Sequence, residues 1–288
     1  MLKYFLIPVL CILASSKVLI QSKFAKDCTK TPGDAVLFNG IIFVFSAIIA
    51  LSSLQNSFDV PLCIFASIFG LFSVVFQVFY IHAFLNGPVS ITVLIVSASM
   101  LIPIVFSAVT YHETVTVTGV IGILITIVVF WLNTERTKGE KYKSKWLIFT
   151  LIAVIANSVN VITQKVFAKS YPQGSPQSFV AVAYLVAAVL SLLVYAFFKL
   201  KGKGCTYKLK PAVFLTAGSV GVILSVYQLL NTYANSVIDG AVLYPVYNGG
   251  VSVLTTVSST ILFKERLTVK QRISVVLGII AIILINIR

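Results

Sequence analysis

Apolar stretches long enough to cross a bilayer follow one another from end to end of this chain. They lie at about residues 4–22, 34–53, 61–84, 88–111, 115–133, 146–166, 178–198, 211–231, 239–262 and 268–287. A spanning helix needs roughly 20 consecutive, mostly apolar residues, so the 288 residues hold about ten. Several stretches, such as 34–53 and 268–287, are apolar all round. That pattern suits helices facing lipid or other helices, not amphipathic surface helices. A membrane barrel would instead alternate polarity over segments of about ten residues. With 58% hydrophobic and only 10% charged residues, the composition excludes an ordinary soluble enzyme, where about 25% of residues are charged. It also excludes disorder and a disulfide scaffold. The expected fold is an all-α membrane protein of ten transmembrane helices.

Breaks between the stretches are clear: Asp59-Val60-Pro61, Asn86-Gly87-Pro88, the polar run 134–145, Pro172 to Pro176, and the Lys-rich run 199–210. The first stretch resembles a signal peptide, with Lys3, an apolar run and Ala14-Ser15-Ser16. It has an internal twin, however, and is expected to stay as a span.

That twin belongs to a weak repeat. Gln21-Ser22-Lys23-Phe24-Ala25-Lys26 ends span one, and Gln164-Lys165-Val166-Phe167-Ala168-Lys169 ends span six. Pro61, Gly70 and Val75-Phe76-Gln77 in span three match Pro211, Gly221 and Val226-Tyr227-Gln228 in span eight. His112-Glu113-Thr114-Val115-Thr116-Val117 after span four matches Lys264-Glu265-Arg266-Leu267-Thr268-Val269 after span nine. The halves are expected to divide at residues 1–137 and 138–288. Five spans per half is an odd number, so the second half would enter from the opposite side. The expectation is two inverted five-helix repeats, an arrangement in which secondary transporters place the substrate near the midplane.

On this layout, and on Phe263-Lys264-Glu265-Arg266-Leu267-Thr268 with its weaker copy Tyr111-His112-Glu113-Thr114-Val115-Thr116, the chain resembles the drug/metabolite transporter superfamily, in its ten-span EamA-type members. The resemblance implies a basket of ten helices. Spans one, three, four, six, eight and nine would line its cavity, with five and ten peripheral. It implies no particular substrate.

The formal charge of +14 would suggest nucleic acid in a soluble protein. Here it suggests loops sorted by charge. Lys3, Lys165, Lys169 and Arg288 fall on one side, and the remaining basic residues apart from Lys17 on the other. Both termini are therefore expected to face outward, whereas the family resemblance favours inward termini. The predicted location is a cell membrane, plasma or inner, of a bacterium.

Polar side chains in a bilayer are costly and usually face the bundle interior. Helical spacing places several on shared faces: Lys17 and Gln21 in span one; Gln77 and Tyr80 in span three; Asn157, Asn160 and Gln164 in span six; Tyr227, Gln228 and Asn231 in span eight; Tyr244, Tyr247 and Asn248 in span nine. These are the predicted substrate-binding residues. Gln77 and Gln228 correspond across the repeat and are expected near its axis, offering amides to the substrate; the plainer alternative is a helix-to-helix hydrogen bond. Lys17 sits past the middle of an apolar span, where a charge costs roughly 2.5–3.5 kcal/mol. Either it faces a wet cavity and receives a carboxylate or phosphate, or its amine snorkels to the boundary. Lys165 lies nearer a helix end, so snorkelling is expected there.

Spans one and six hold no Asp or Glu, unlike the small multidrug relatives that bind cations through a carboxylate in their first helix. The predicted cargo is thus a small neutral, zwitterionic or anionic metabolite, moved by alternating access. Two alternatives stay open: a flippase for a lipid-linked sugar, and an exporter of amines held by an aromatic cage. Glu113 and Glu265 read as turn residues, Asp239 as an N-cap. His82 and His112 have no metal partner at suitable spacing. Hinge candidates are Pro103, and Pro245 with Gly249 and Gly250. Small-residue stripes (Ala217, Gly221, Ser225; Ser274, Gly278; Gly122, Thr126) read as packing, with spans five and ten meeting through theirs. No cofactor, metal or nucleic acid is expected. No Gly-x-x-x-x-Gly-Lys-Ser/Thr loop is present. The expected partners are a small-molecule substrate, the lipid bilayer and a coupling ion (a proton or counter-substrate), acting on a monomer or weak dimer. No catalytic residue is expected.

Overall fold

The computed structural model describes residues 5–28, 30–52, 58–87, 92, 95–96, 98–113, 117–133, 144–202, 204, 211–263 and 269–286. The Lys264–Thr268 motif with Glu265, the loop 134–143 and Cys205 lie outside them. Among the described residues the helices are α1 (Leu6–Cys28), α2 (Pro32–Ser52), α3 (Val60–Asn86), α4 (Leu101–Tyr111), α5 (Val117–Asn133), α6 (Ser144–Ser170), α7 (Pro176–Leu200), α8 (Pro211–Val237), α9 (Gly240–Phe263) and α10 (Val269–Asn286). A single 3-10 turn, Ala98–Met100, precedes α4.

The chain is all-α, but the expected ten transmembrane helices are not found. Among the described residues, six helices are long and apolar enough to cross a membrane: α1, α2, α3, α6, α7 and α8. Within the expected span 88–111 the described helix is α4, with 11 residues; residues 88–91, 93–94 and 97 lie outside the described residues. Helix α5 has 17 residues. Helix α9 carries Pro245, Asn248 and a run of Ser and Thr, and α10 opens with Lys270 and Arg272. Two inverted five-helix repeats need five spans in each half, and six spans do not supply them.

Helix starts follow local chemistry. The Ser175 hydroxyl accepts the Ser178 N–H at 3.3 Å, with Pro176 in the first turn of α7. This is an N-cap followed by the residue that has no N–H to leave orphaned. In the first turn of α2, one carboxylate oxygen of Asp34 accepts the N–H groups of Lys30 and Thr31, each at 2.7 Å.

The largest core cluster joins α2, α3, α7 and α8 through Phe38, Phe43, Phe69, Phe179, Tyr184 and Leu224. A second joins α1, α4, α8 and α9 through Leu10, Ile104, Ala234 and Leu243. Two glycines set how closely helices approach. A Cβ on Gly221 of α8 would stand 2.9 Å from the Ile42 carbonyl of α2, and the Ser46 hydroxyl donates to the Gly221 carbonyl at 2.9 Å. A Cβ on Gly70 of α3 would clash with the Ala183 carbonyl of α7. The predicted stripe on α8 thus serves the α2 contact; small residues are how helices in lipid gain close packing.

Helix α5 packs on α10, and Gly122 and Gly278 are both buried. The close approach at Gly278, however, is to Val253 of α9, whose Cγ2 a Cβ would meet at 2.9 Å. The side chains of Thr126 and Ser274 lie outside the described residues. Facing outward, Ile148, Leu151 and Ile155 on α6 and Leu185, Val189 and Leu192 on α7 are exposed at helical spacing. Apolar stripes of this kind need lipid to cover them.

Candidate substrate cavity

Inside the bundle lies a cavity of about 130 Å³. It takes side chains from α1, α2, α3, α6, α7, α8 and α9, and from the 3-10 turn through Ser99 and Met100. Lys17, Gln77, Tyr80, Asn157, Asn160, Gln164, Tyr227, Gln228, Asn231, Tyr244, Tyr247 and Asn248 all line it. Gln21 does not; it lies behind Gln77, its Nε2 donating to Gln77 Oε1 at 3.5 Å.

Hydrogen bonds divide these residues into two groups. The first group is occupied with its neighbours. Gln164 Nε2 donates to Thr232 Oγ1 at 2.7 Å, and Gln164 Oε1 accepts from Asn231 Nδ2 at 2.8 Å. Asn157 Nδ2 donates to Ser99 Oγ at 2.7 Å. The Tyr244 hydroxyl donates to Asn235 Oδ1 at 2.9 Å, and Asn248 Nδ2 to the Tyr244 carbonyl at 2.8 Å. Polar groups buried in a dry bundle need such partners. They fix α6, α8 and α9 around the cavity.

The second group is unspent. Gln228 Nε2 and Asn160 Oδ1 are buried and have no hydrogen-bond partner among the described residues. Lys17 has no carboxylate within ion-pair reach among the described residues. Its ammonium stands 5.9 Å from the centre of the Tyr227 ring. That ring stacks on Tyr247 at 5.9 Å between centroids. Of the two sequence alternatives for Lys17, the side chain takes the cavity.

Several lining residues carried no polar signal in the sequence. Phe43 of α2, Phe69 of α3 and Tyr184 of α7 make an aromatic wall, with Tyr184 5.7 Å from Phe43 and 6.5 Å from Phe69. The resemblance implied a lining without α2 and α7, so this is a correction. The available hint was Tyr184 standing among Ala181, Ala183, Ala187 and Ala188, since small neighbours let a large ring reach inward. Conversely α4 contributes no lining residue; the turn before it does.

Lys165 departs most from expectation. It does not snorkel: its side chain is 0% exposed, and its ammonium pairs with the Glu113 carboxylate at 2.9 Å. It also donates to the Ile238 carbonyl at 3.3 Å. The other oxygen of Glu113 accepts the N–H of Gly240, the first residue of α9, at 2.8 Å. Glu113, read from the sequence as a turn residue, thus reaches across to cap α9. One buried ion pair therefore ties the turn after α4 to α6 and to the junction of α8 and α9. The backbone carbonyl of Asp239 accepts from Val242 and Leu243 N–H groups, at 3.0 and 2.8 Å, which places Asp239 at the cap position expected.

The hinge candidates sit as follows. Pro103 occupies the first turn of α4, where its missing N–H breaks no internal bond. Pro245 lies inside α9, which continues as helix through Gly249 and Gly250. A Cβ on Gly250 would meet Cys11 Sγ at 2.6 Å, so this glycine also lets α1 and α9 close up. His82 Nδ1 lies 2.7 Å from the Val78 carbonyl in its own helix, and His112 is the left-handed residue ending α4, with φ 50. Cys11, Cys28 and Cys63 are free thiols. Burial, with Asp27 and Asp34 nearby, pushes the Cys28 thiol up. No group of His, Cys, Asp or Glu among the described residues could hold a metal ion.

The family model that matches the chain is described as the EamA-like transporter family, over residues 144–287. A solved structure titled "Crystal structure of protein" is similar in fold, with a TM-score of 0.75 at 15% identity; the match covers 97% of this chain and 98% of that one. No curated protein matches the chain.

Proposed function

The chain belongs to the EamA-like transporter family, a multi-pass membrane transporter and not an enzyme, and from that premise we propose that it is a secondary carrier of a small polar metabolite. The metabolite is neutral, zwitterionic or anionic. It binds in the central cavity and crosses by alternating access as the two halves of the chain move against each other. The observation carrying this reading is the lining itself. Polar side chains from α1, α3, α6, α8 and α9 meet around one cavity, and no carboxylate is among its described lining residues. A cation would find no counter-charge there and would meet Lys17.

The test is transport. Purified protein is screened for stabilisation by neutral, zwitterionic, anionic and cationic metabolites, because a ligand stabilises the state it binds. Compounds that stabilise are then loaded into proteoliposomes for uptake and exchange. Saturable exchange of a non-cationic compound supports the reading. Stabilisation by cations alone, or folded protein that exchanges nothing it binds, defeats it.

A further inference from the structure

We propose that Lys17 is the anchor for a substrate carboxylate, which narrows the cargo to a monocarboxylate or a carboxylate-bearing zwitterion. The inference rests on the carrier reading above, since it names the ligand of the same cavity.

Two features of the cavity and one charge-balance argument support it. First, among the described residues Lys17 is the one cationic side chain lining the cavity, and no Asp or Glu lines it. An ammonium held among protein side chains lacks the solvation of water and is stabilised when an anion joins it. Second, Gln228 Nε2, a buried amide donor on the same lining, has no partner. An unmade hydrogen bond from a buried donor is costly, and a ligand oxygen would remove that cost. A charged donor and a neutral donor together suit the two oxygens of one carboxylate. Third, charge balance selects among anions: one ammonium matches a single negative charge. A phosphate dianion would bring a second charge into a lining that offers no second cation. The buried acceptor Asn160 Oδ1, also without a partner, suits a donor elsewhere on the same solute, such as an ammonium or hydroxyl.

The experiment uses the full chain in lipid nanodiscs and two panels matched atom for atom. One holds monocarboxylates and amino acids (lactate, pyruvate, benzoate, neutral L-amino acids). The other holds their primary amides, with inorganic phosphate added as a separate arm. Binding is read by thermal shift and by isothermal titration. At least one acid is expected to bind wild type, and its amide roughly tenfold or more weakly, as loss of a charged hydrogen bond implies. Lys17→Met is expected to abolish that difference, and Lys17→Arg to keep it. The unliganded melting temperatures of the variants show that they are folded.

No acid binding better than its amide, or a preference that survives Lys17→Met, would overturn the proposal. So would phosphate binding in place of the acids. Exchange in proteoliposomes separates this inference from the one beneath it. Lys17-dependent binding of an acid without exchange keeps the anchor and removes the carrier. Exchange of amides, unaltered by Lys17→Met, keeps the carrier and removes the anchor.

Discussion

Lys17 on α1 and Lys165 on α6 are both lysines set within apolar helices, and their surroundings are opposite. Lys165 is fully enclosed, paired with Glu113 at 2.9 Å and bonded to the Ile238 carbonyl. Lys17 faces the cavity with an aromatic ring for company. Aligning Gln21 with Gln164, as the repeat does, sets Lys17 opposite Asn160, and both line the cavity. The partnered lysine is part of the frame that holds four elements together, whereas the unpartnered one is left for something that arrives. The same contrast divides the amides, with Gln164 occupied at both ends and Gln228 Nε2 free.

Breaking the Lys165 pair should give the largest effect. Lys165→Met leaves Glu113 enclosed without its counter-charge, and Glu113→Gln leaves Lys165 so. Each is expected to cost about 3–5 kcal/mol, the scale for orphaning one member of a buried pair. The double variant removes both charges, and its glutamine can still accept the Gly240 N–H. It should recover most of the loss. Denaturant unfolding in detergent measures the cycle. Single variants that cost under about 1 kcal/mol would place this pair with exposed ones and erase the contrast with Lys17.

The second prediction has the opposite sign. Lys17→Met removes an unpaired charge from an apolar helix, which on insertion scales costs roughly 2.5–3.5 kcal/mol. The unliganded variant is therefore expected to be more stable than wild type, by about 1–3 kcal/mol, while losing ligand. Destabilisation by Lys17→Met would mean that the lysine holds the frame as Lys165 does.

This difference between the lysines marks how far the sequence could be read. Helix starts near Pro61, Pro176 and Pro211 were legible because proline and its neighbours act locally. The cavity residues were legible because a polar side chain in an apolar helix is costly enough to need a reason. Nothing local distinguishes Lys165 from a snorkelling lysine, because what encloses it is the turn at Glu113 from the other half of the chain. Phe43 and Tyr184 were silent because an aromatic ring in an apolar helix has the same sequence signature in a core as in a cavity wall. The ten-span count failed where hydropathy alone was counted: the stretch 88–111 is apolar enough on average, but its described helix, α4, has 11 residues, fewer than the roughly 20 a span needs.

The amides sharpen the comparison without charge. Gln164→Ala strands Asn231 Nδ2 and removes the donor to Thr232, so a loss of about 1–2 kcal/mol is expected. Gln228→Ala removes a side-chain nitrogen that has no protein partner among the described residues; its melting temperature should stay near wild type while ligand binding weakens. Equal losses of stability in both variants would show that the two amides do the same work.

The smallest effect belongs to a contact with the geometry of the first but the setting of water. The Tyr171 hydroxyl donates to the Asp59 carboxylate at 2.7 Å, bridging the end of α6 to the start of α3. That bond pushes the phenol up from its ordinary range, because the proton lost on ionisation is the one shared with Asp59. A raised acid contributes its stability while it is protonated. The contribution is present below the unfolded value of about 10 and disappears as pH rises through the raised one. Water competes for both groups at this exposed site, so Tyr171→Phe should leave the melting temperature at neutral pH within error of wild type. The small difference that exists should vanish in strongly alkaline buffer. A loss comparable to that of Lys165→Met would mean that distance between partners, and not their enclosure, decides which polar contacts hold this bundle together.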